Sequence, residues 1–297
     1  MITSEQLARR RHGIGGSDAP VVVGLSKWRT PFQLWQEKRG LVDSSLNENE
    51  AMRWGNILEP VIRQRYADET GCGVTVPDTL THPQHPFMLA HVDGLTDHGR
   101  VLEIKTARDP RGWGEAGTDE IPPAYIIQVQ HCLAVTGAEV ADVAALLSGQ
   151  DFRIYYVPRN QDLIDMLVEQ EAAFWEMVQS ETPPPPVTFA DAVARYQTSR
   201  AGEVVATEEV YRAAIVLQTL KQYESDLKAQ KEELRGIVAI ALGEHDTLVD
   251  TDGNALITFK SSKPPKAFDV DAFKAAHPDL YAEYLTTGKA PRRFLVK

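Results

Sequence analysis

The stretch that decides the fold is HVDGLTDHGRVLEIKTA, residues 91–107. Apolar residues alternate over 87–96 and again over 100–107, with Asp97-His98-Gly99 between them. A three-residue loop ending in glycine suits a β-hairpin whose last turn position has positive φ. That loop predicts Thr96 opposite Arg100, Leu95 opposite Val101 and Asp93 opposite Glu103. Opposed residues on one face have Cβ atoms ~4.5–5.5 Å apart, and alternate residues share a face. One face therefore carries His91, Asp93, Glu103 and Lys105. Two opposed carboxylates are destabilising unless something sits between them. A divalent cation with hard oxygen ligands, Mg²⁺ or Mn²⁺, resolves the conflict. Taken alone, an exposed Glu-x-Lys is ordinarily a solvated face with a weak ion pair, so these residues need support from the rest of the chain.

The chain has 297 residues, enough for one large domain or a domain with an extension. Its net charge of −11 excludes a protein that coats DNA by bulk electrostatics. It leaves room for an enzyme whose positive charge is confined to a channel. Hydrophobic residues make up 43% and charged residues 25%, as in an ordinary soluble globular protein. No apolar run is long enough for a membrane span, and the first residues, MITSEQLARRRHG, lack the apolar core of a secretory signal. Cys72 and Cys132 have neither metal-ligand nor C-x-x-C spacing, which predicts reduced thiols and a cytoplasmic location.

Around the hairpin, punctuation marks out the elements. GGSDAPVVVGLS predicts a short helix capped by Ser17, and TPFQLWQEKRG a helix from Thr30 to Gly40. NEAMRWGNILEPVIRQRYADETG predicts a helix ending at Gly71, with Pro60 causing a kink or a start near Asn56. IPPAYIIQVQHCLAVTG predicts a helix between its prolines and Gly137. EVADVAALLS and DFRIYYVP read as strands, and the segment after Asn160 as an amphipathic helix. TPPPP, residues 182–186, is an extended spacer. It divides the chain into a core, 1–182, a linker, 183–187, and a C-terminal extension, 188–297. In the extension, Val210, Leu217 and Val238 share one heptad position, interrupted by Glu224 and Lys231; Ala213, Leu220, Leu227, Leu234 and Ala241 share the other. That is a coiled-coil pattern or a long amphipathic helix packed on its own chain. TLVDTDGNALITFK predicts a small second hairpin, VDAFKAAHPDLYAEYL a short helical end, and RRFLVK a last strand. The order of elements in the core predicts an α/β fold with a mixed sheet.

Several side chains converge on the hairpin. Glu59, on a helix, can complete a metal site or orient water; it also suits the helix dipole as a first-turn acid. Gln128, among Ile126, Ile127, Val129 and Leu133, needs a partner if buried, either a core carbonyl or a catalytic water. RRRHGIGGSDAP offers Arg10, Arg11 and a glycine-rich turn, Gly15-Gly16-Ser17, into a helix N-terminus, an arrangement suited to an anion. Its spacing is not a dinucleotide fingerprint, and Asp18 is unhelpful beside a phosphate unless it faces away.

GIGGSDAPVVVGLSKWRTPFQLWQEKRG, WGNILEPVIRQRYADETG, HVDGLTD with VLEIKTA, and IPPAYIIQVQHCLAVTG occur in that order. Together they resemble the YqaJ-type viral recombinase family, the lambda-exonuclease-like branch of the PD-(D/E)XK nucleases, over about the first 180 residues. The resemblance implies a restriction-endonuclease-like core and a Mg²⁺-dependent exonuclease, with Mn²⁺ as an alternative and two ions per site. Such an enzyme degrades linear double-stranded DNA from a 5′-phosphorylated end and leaves 3′ single-stranded tails for a phage-type single-strand-annealing recombinase. By motif position, Asp93, Glu103 and the Ile104 carbonyl hold metal, with Glu59 as the helix carboxylate. Lys105 polarises water or steadies the transition-state charge, Gln128 lies beside the site, and Arg10 and Ser17 hold the 5′-phosphate. HVDG departs from the Pro-Asp of the superfamily label. The resemblance also implies a homo-oligomer, trimeric rings being known in the family, in the cytoplasm of a bacterial host.

Two other readings follow from the same residues. One keeps the fold as a structure-specific or nicking endonuclease. The other makes the chain a non-catalytic DNA-end or partner-binding module, for which Asp93, Glu103 and Lys105 together have no use. Two cysteines are too few for an iron–sulfur nuclease.

Overall fold

Alternation along residues 101–107 sends Val101 to one side of a sheet and Leu102 and Ile104 to the other, and each side finds its own helix layer. The structure is a computed structural model that describes residues 11–42, 49–263, 267–288 and 292–296. It divides into two compact units, with the boundary between Arg195 and Tyr196. The first unit runs β1 (Ile14–Gly15), α1 (Ala19–Val22), α2 (Pro31–Lys38), α3 (Glu50–Thr70), β2 (Val74–Thr75), β3 (Leu80–Thr81), β4 (Met88–Ala90), β5 (Gly94–Thr96), β6 (Val101–Ala107), α4 (Pro123–Thr136), β7 (Val140–Leu147), β8 (Asp151–Pro158), α5 (Gln161–Gln179) and α6 (Phe189–Arg195).

The central sheet has the order β2-β5-β6-β7-β8. It is mixed: β6 and β7 run parallel through seven register pairs, and the other neighbours are antiparallel. One face packs Val101, Val143, Ala145 and Tyr155 against Val129 and Leu133 of α4. The opposite face packs Leu102, Ile104 and Ala144 against Ile62 and Tyr66 of α3. Burying a side chain such as Leu102 or Leu133 contributes roughly 1.5–3 kcal/mol, so these layers fix where β6 lies. The fold is α/β with a central mixed sheet flanked by helices, as the sequence predicts.

Helix punctuation is observed closely. Thr30 caps α2 in a capping box with Gln33, Asn160 caps α5, and Gly71 and Gly137 follow α3 and α4. Three expectations need correction. The N-cap position of α1 is Asp18 rather than Ser17, and the Asp18 carboxylate is engaged by Arg29, Lys38 and the Gly15 N–H. Helix α3 is capped by Asn49 and runs through Pro60 without a restart at Asn56. The expected first hairpin strand breaks at residues 91–93: β4 joins a separate sheet of order β1-β4-β3, and only β5 pairs with β6. Gly94, the first residue of β5, lets β2 approach closely, since a Cβ there would lie 2.4 Å from Val74 Cγ1. The proline run lies within the first unit. Beyond it, Asp191 of α6 accepts the Val187 and Thr188 N–H groups and the Thr30 hydroxyl, which ties the chain back and carries the boundary to Arg195.

The second unit contains α7 (Glu208–Leu242), β9 (Thr247–Val249), β10 (Ala255–Thr258), α8 (Val270–Ala276) and α9 (Pro278–Glu283). Strands β9 and β10 form the expected hairpin. The expected last strand is not formed: residues 292–296 have no regular structure. No helix among the described residues is long and apolar enough to cross a membrane.

Candidate active site

The turn of the hairpin is as the spacing predicts. Gly99 has φ +73°, its N–H donates to the Thr96 carbonyl at 2.9 Å, and Leu95 pairs with Val101. Regular pairing stops at Gly94 opposite Leu102, so β6 outruns β5. In place of a strand partner, the Ile104 N–H donates to Asp93 Oδ2 at 2.7 Å. The N–H and C=O of one extended residue point the same way, so the Ile104 carbonyl also faces the gap where β5 has ended.

Glu103 and Lys105 share the sheet face covered by α4. Glu103 is 3% exposed, and its Oε1 accepts both Lys105 Nζ and, at 2.6 Å, Gln128 Nε2. The Lys105 ammonium also lies 5.1 Å from the centre of the Tyr125 ring, one helical turn before Gln128. Burial works against the Lys105 charge, but Glu103 and Asp93 outweigh it and raise the pKa above that of an ordinary lysine. Lys105 is thus held as a cation. Asp93 behaves oppositely: burial first, then the Glu103 charge, push its carboxyl up to about 8, against Lys105 and the Ile104 N–H.

Glu59 stands apart. Helix α3 covers the other face of the sheet, and the Glu59 carboxylate pairs with Arg63, four residues on. Arg63 Nε in turn donates to the Asp93 carbonyl at 2.9 Å, and the Glu59 charge adds to the upward push on Asp93. The i,i+4 spacing of Glu59 and Arg63 was available in the sequence as a signal for this link. His91 is exposed and takes no part in these bonds. Among the described residues, the three side chains gathered within 4.8 Å as potential metal ligands are Cys72, Asp97 and His98, at the hairpin turn. Glu59, Asp93 and Glu103 are not drawn that close.

The donors at the end of β5 are all oxygen: two carboxylates and a backbone carbonyl. Each carboxylate is held through one oxygen, Oδ2 of Asp93 and Oε1 of Glu103. Burial and the neighbouring Glu103 charge together keep the Asp93 carboxyl protonated to about 8, a conflict that a bound cation relieves. The residues fit a hard divalent ion such as Mg²⁺ or Mn²⁺.

The glycine turn reaches the same place from the other side. Ile14 and Gly15 pair with Met88 and Leu89 of β4, the latter four residues before Asp93. Gly16 packs on α4 so closely that a Cβ would lie 2.9 Å from Cys132 Sγ and 3.5 Å from Gln128 Cγ. The turn is not a row of free amides, however. The Gly15 N–H donates to Asp18 Oδ2 at 3.1 Å, and the Gly15 carbonyl accepts from the Asp18 N–H at 2.8 Å. Arg29 and Lys38 hold Asp18 well below the usual carboxylate range in spite of its burial. Ser17 and Arg11 are exposed. Arg10 lies outside the described residues.

Behind Gln128, His131 is fully buried. Its Nδ1 faces Glu171 Oε1 at 2.9 Å and its Nε2 faces the Leu89 carbonyl at 2.9 Å. Burial opposes a charge on the ring, but Glu171 outweighs it and raises the pKa. His131 thereby fastens α4 to β4 and α5. Sequence reading passed over it because a lone histidine in an apolar helix carries no spacing signal.

Residues 5–139 match the model of the YqaJ-like viral recombinase domain. Across its whole length the chain is 31% identical to the uncharacterized protein YqaJ of Bacillus subtilis (strain 168), covering 95% of that protein. It is similar in structure to LHK-Exo, an alkaline exonuclease from Laribacter hongkongensis, with a TM-score of 0.51 and 26% identity over 61% of this chain and 94% of that one. The complex of LHK-Exo with dAMP gives the same figures. The chain belongs to the YqaJ-like viral recombinase family.

Proposed function

We propose that the chain is a divalent-metal-dependent nuclease of the lambda-exonuclease type, acting on linear double-stranded DNA from a 5′-phosphorylated end. In this reading it leaves 3′ single-stranded tails for a single-strand-annealing recombinase. The observation that carries the proposal is the arrangement of Asp93, Glu103, Lys105 and Gln128 at the end of β5. The similarity to an alkaline exonuclease, one of whose structures is a dAMP complex, supports it.

Asp93, Glu103 and the Ile104 carbonyl are the residues that would hold the ions, two per site, with Glu59 at the edge. A bound divalent ion supplies an acidified water and Lewis-acid polarisation of the scissile phosphate. The Ile104 N–H and Gln128 fix the two carboxylates through one oxygen each, Asp93 Oδ2 and Glu103 Oε1, and the second oxygen of each is the one that would hold an ion. Because its pKa is raised, Lys105 acts as a fixed charge beside the developing negative oxygen rather than as a base. Arg11 and Ser17, with Arg10, bind the terminal phosphate beside Gly15 and Gly16. The close packing of Gly16 on α4 supports this by joining that turn to the element that carries Gln128.

The test uses Mg²⁺ and duplex DNA in three forms: linear with 5′-phosphate, linear with 5′-hydroxyl, and covalently closed circles. We expect loss of the 5′-phosphorylated linear DNA alone. Lys105→Ala should slow this by roughly 10²–10³-fold, the effect of removing one preorganised charge donor. Cutting of the closed circle would make the enzyme an endonuclease. Absence of metal-dependent cutting on every substrate would leave a binding module.

A further inference from the structure

Helix α7 is 35 residues long, about 52 Å at 1.5 Å per residue, and almost its whole surface is exposed. Leu217, Leu220, Leu227 and Leu234 are 40–66% exposed. Helices of globular proteins owe most of their stability to a packed apolar face, and an exposed apolar stripe of this length marks an interaction surface. The seam reads, in order, Val210, Ala213, Leu217, Leu220, Glu224, Leu227, Lys231, Leu234, Val238 and Ala241. Its two charged positions decide how a partner can lie.

We propose that the occupant of this face is α7 of a second copy, running antiparallel. The inference goes beyond the nuclease reading and does not depend on it. In a parallel, in-register pair Glu224 would meet Glu224 and Lys231 would meet Lys231 across the seam, like charge against like. A polar residue in a seam selects register and orientation at a cost in stability. Reversed, the seam is close to a palindrome. Val210 meets Ala241, Ala213 meets Val238, Leu217 meets Leu234, Leu220 meets Lys231, and Glu224 meets Leu227, each twice by symmetry. Glu224 of one copy and Lys231 of the other then occupy adjacent layers on the same side of the seam, about one helical turn apart, within reach of an ion pair.

The flanks agree. An antiparallel pair brings each flanking edge against its own counterpart, whereas a parallel pair crosses them. Antiparallel, Val216 faces Ile237 of the second copy, two side chains that are 56% and 60% exposed in the single chain. Parallel, Val216 and Tyr223 would face Lys221 and Lys228. The opposite edge carries Lys221, Lys228 and Arg235, and in the antiparallel pair Lys221 faces Lys228 while Arg235 faces Ala214. The lysines are long and solvated, so that repulsion is weak beside the apolar seam.

The full-length protein tests this in two steps. Light scattering compares wild type with Leu220→Asp/Leu227→Asp, with retained DNA cutting or an unchanged melting curve showing that the variant folds. We expect a larger mass for wild type than for the variant, twice as large where the first unit is itself monomeric. Equal masses would overturn the proposal and leave α7 packed on its own chain or on a different protein. For orientation, Leu217→Cys and Leu234→Cys chains are made in a Cys72→Ser background, Cys132 being buried. Under mild oxidation, the mixture of the two should form an interchain disulfide and neither variant alone should do so. A disulfide in the Leu217→Cys variant alone would mean parallel strands and would overturn the proposal.

Discussion

Asp93 is the residue on which conditions act most directly. With no cation present, the folded protein keeps a proton on Asp93 up to about 8, while the unfolded chain gives it up near the ordinary carboxylate value of 3.8. Between those values the folded state binds more protons than the unfolded one, so stability falls as pH rises. Denaturation in chelator at about pH 5, 7 and 9 should show this decline, and Asp93→Asn should flatten it. A metal must displace that proton, so Mg²⁺ affinity should climb across the same window. A second residue-scale prediction concerns Gly16. Alanine there pushes a Cβ against the buried Cys132 Sγ at 2.9 Å. Gly16→Ala should destabilise by about 1–3 kcal/mol, the usual cost of overpacking, and Cys132→Ala in the same chain should recover part of it. Additive losses in this double-mutant cycle would mean that the two positions do not touch.

At the scale of elements, the two helices that sandwich β6 have different duties. Helix α4 brings Gln128 to Glu103 and Tyr125 to Lys105, and the His131–Glu171 pair fastens it to α5. Glu171→Ala leaves a buried imidazole facing no acceptor on Nδ1 and should cost about 3–5 kcal/mol. Replacing both residues by leucine should cost much less, and urea titration of the three variants separates the cases. Much of this was legible in the sequence. Proline and glycine bounded α4, period-two alternation set the faces of β6, and the turn at Gly99 fixed the register. What escaped was governed by tertiary contact. Nothing local says that residues 87–96 will be divided between two sheets, because Asp93 prefers the Ile104 N–H to a strand partner. Nothing in the glycine turn says that Asp18 will satisfy Gly15 while Arg29 and Lys38 neutralise it. Glu59 lies on a helix as the sequence predicts, but the side of the sheet it occupies depended on which helix packed where.

For the whole molecule, the division at Arg195 leaves the core clusters that flank the site in the first unit and the long exposed helix in the second. The proline run, where the sequence predicts the boundary, lies inside the first unit. The exact boundary moved because one short helix beyond it, held by Asp191, folds back onto Thr30. Strand β6 has a further consequence through its position. It pairs along its full length with β7, is covered on both faces, and is joined to β5 at its start. Amides in such a strand exchange with solvent only when the whole unit opens. We expect Glu103 and Lys105 to be carried by the part of the first unit that loses its order last. In rising denaturant with Mg²⁺ present, DNA cutting should persist until the cooperative transition seen by circular dichroism and vanish with it. A loss of cutting well ahead of that transition would locate the fragile element elsewhere, at the exposed start of α3 that leads to Glu59. The reaction centre would then be durable on its strand and vulnerable at its margin.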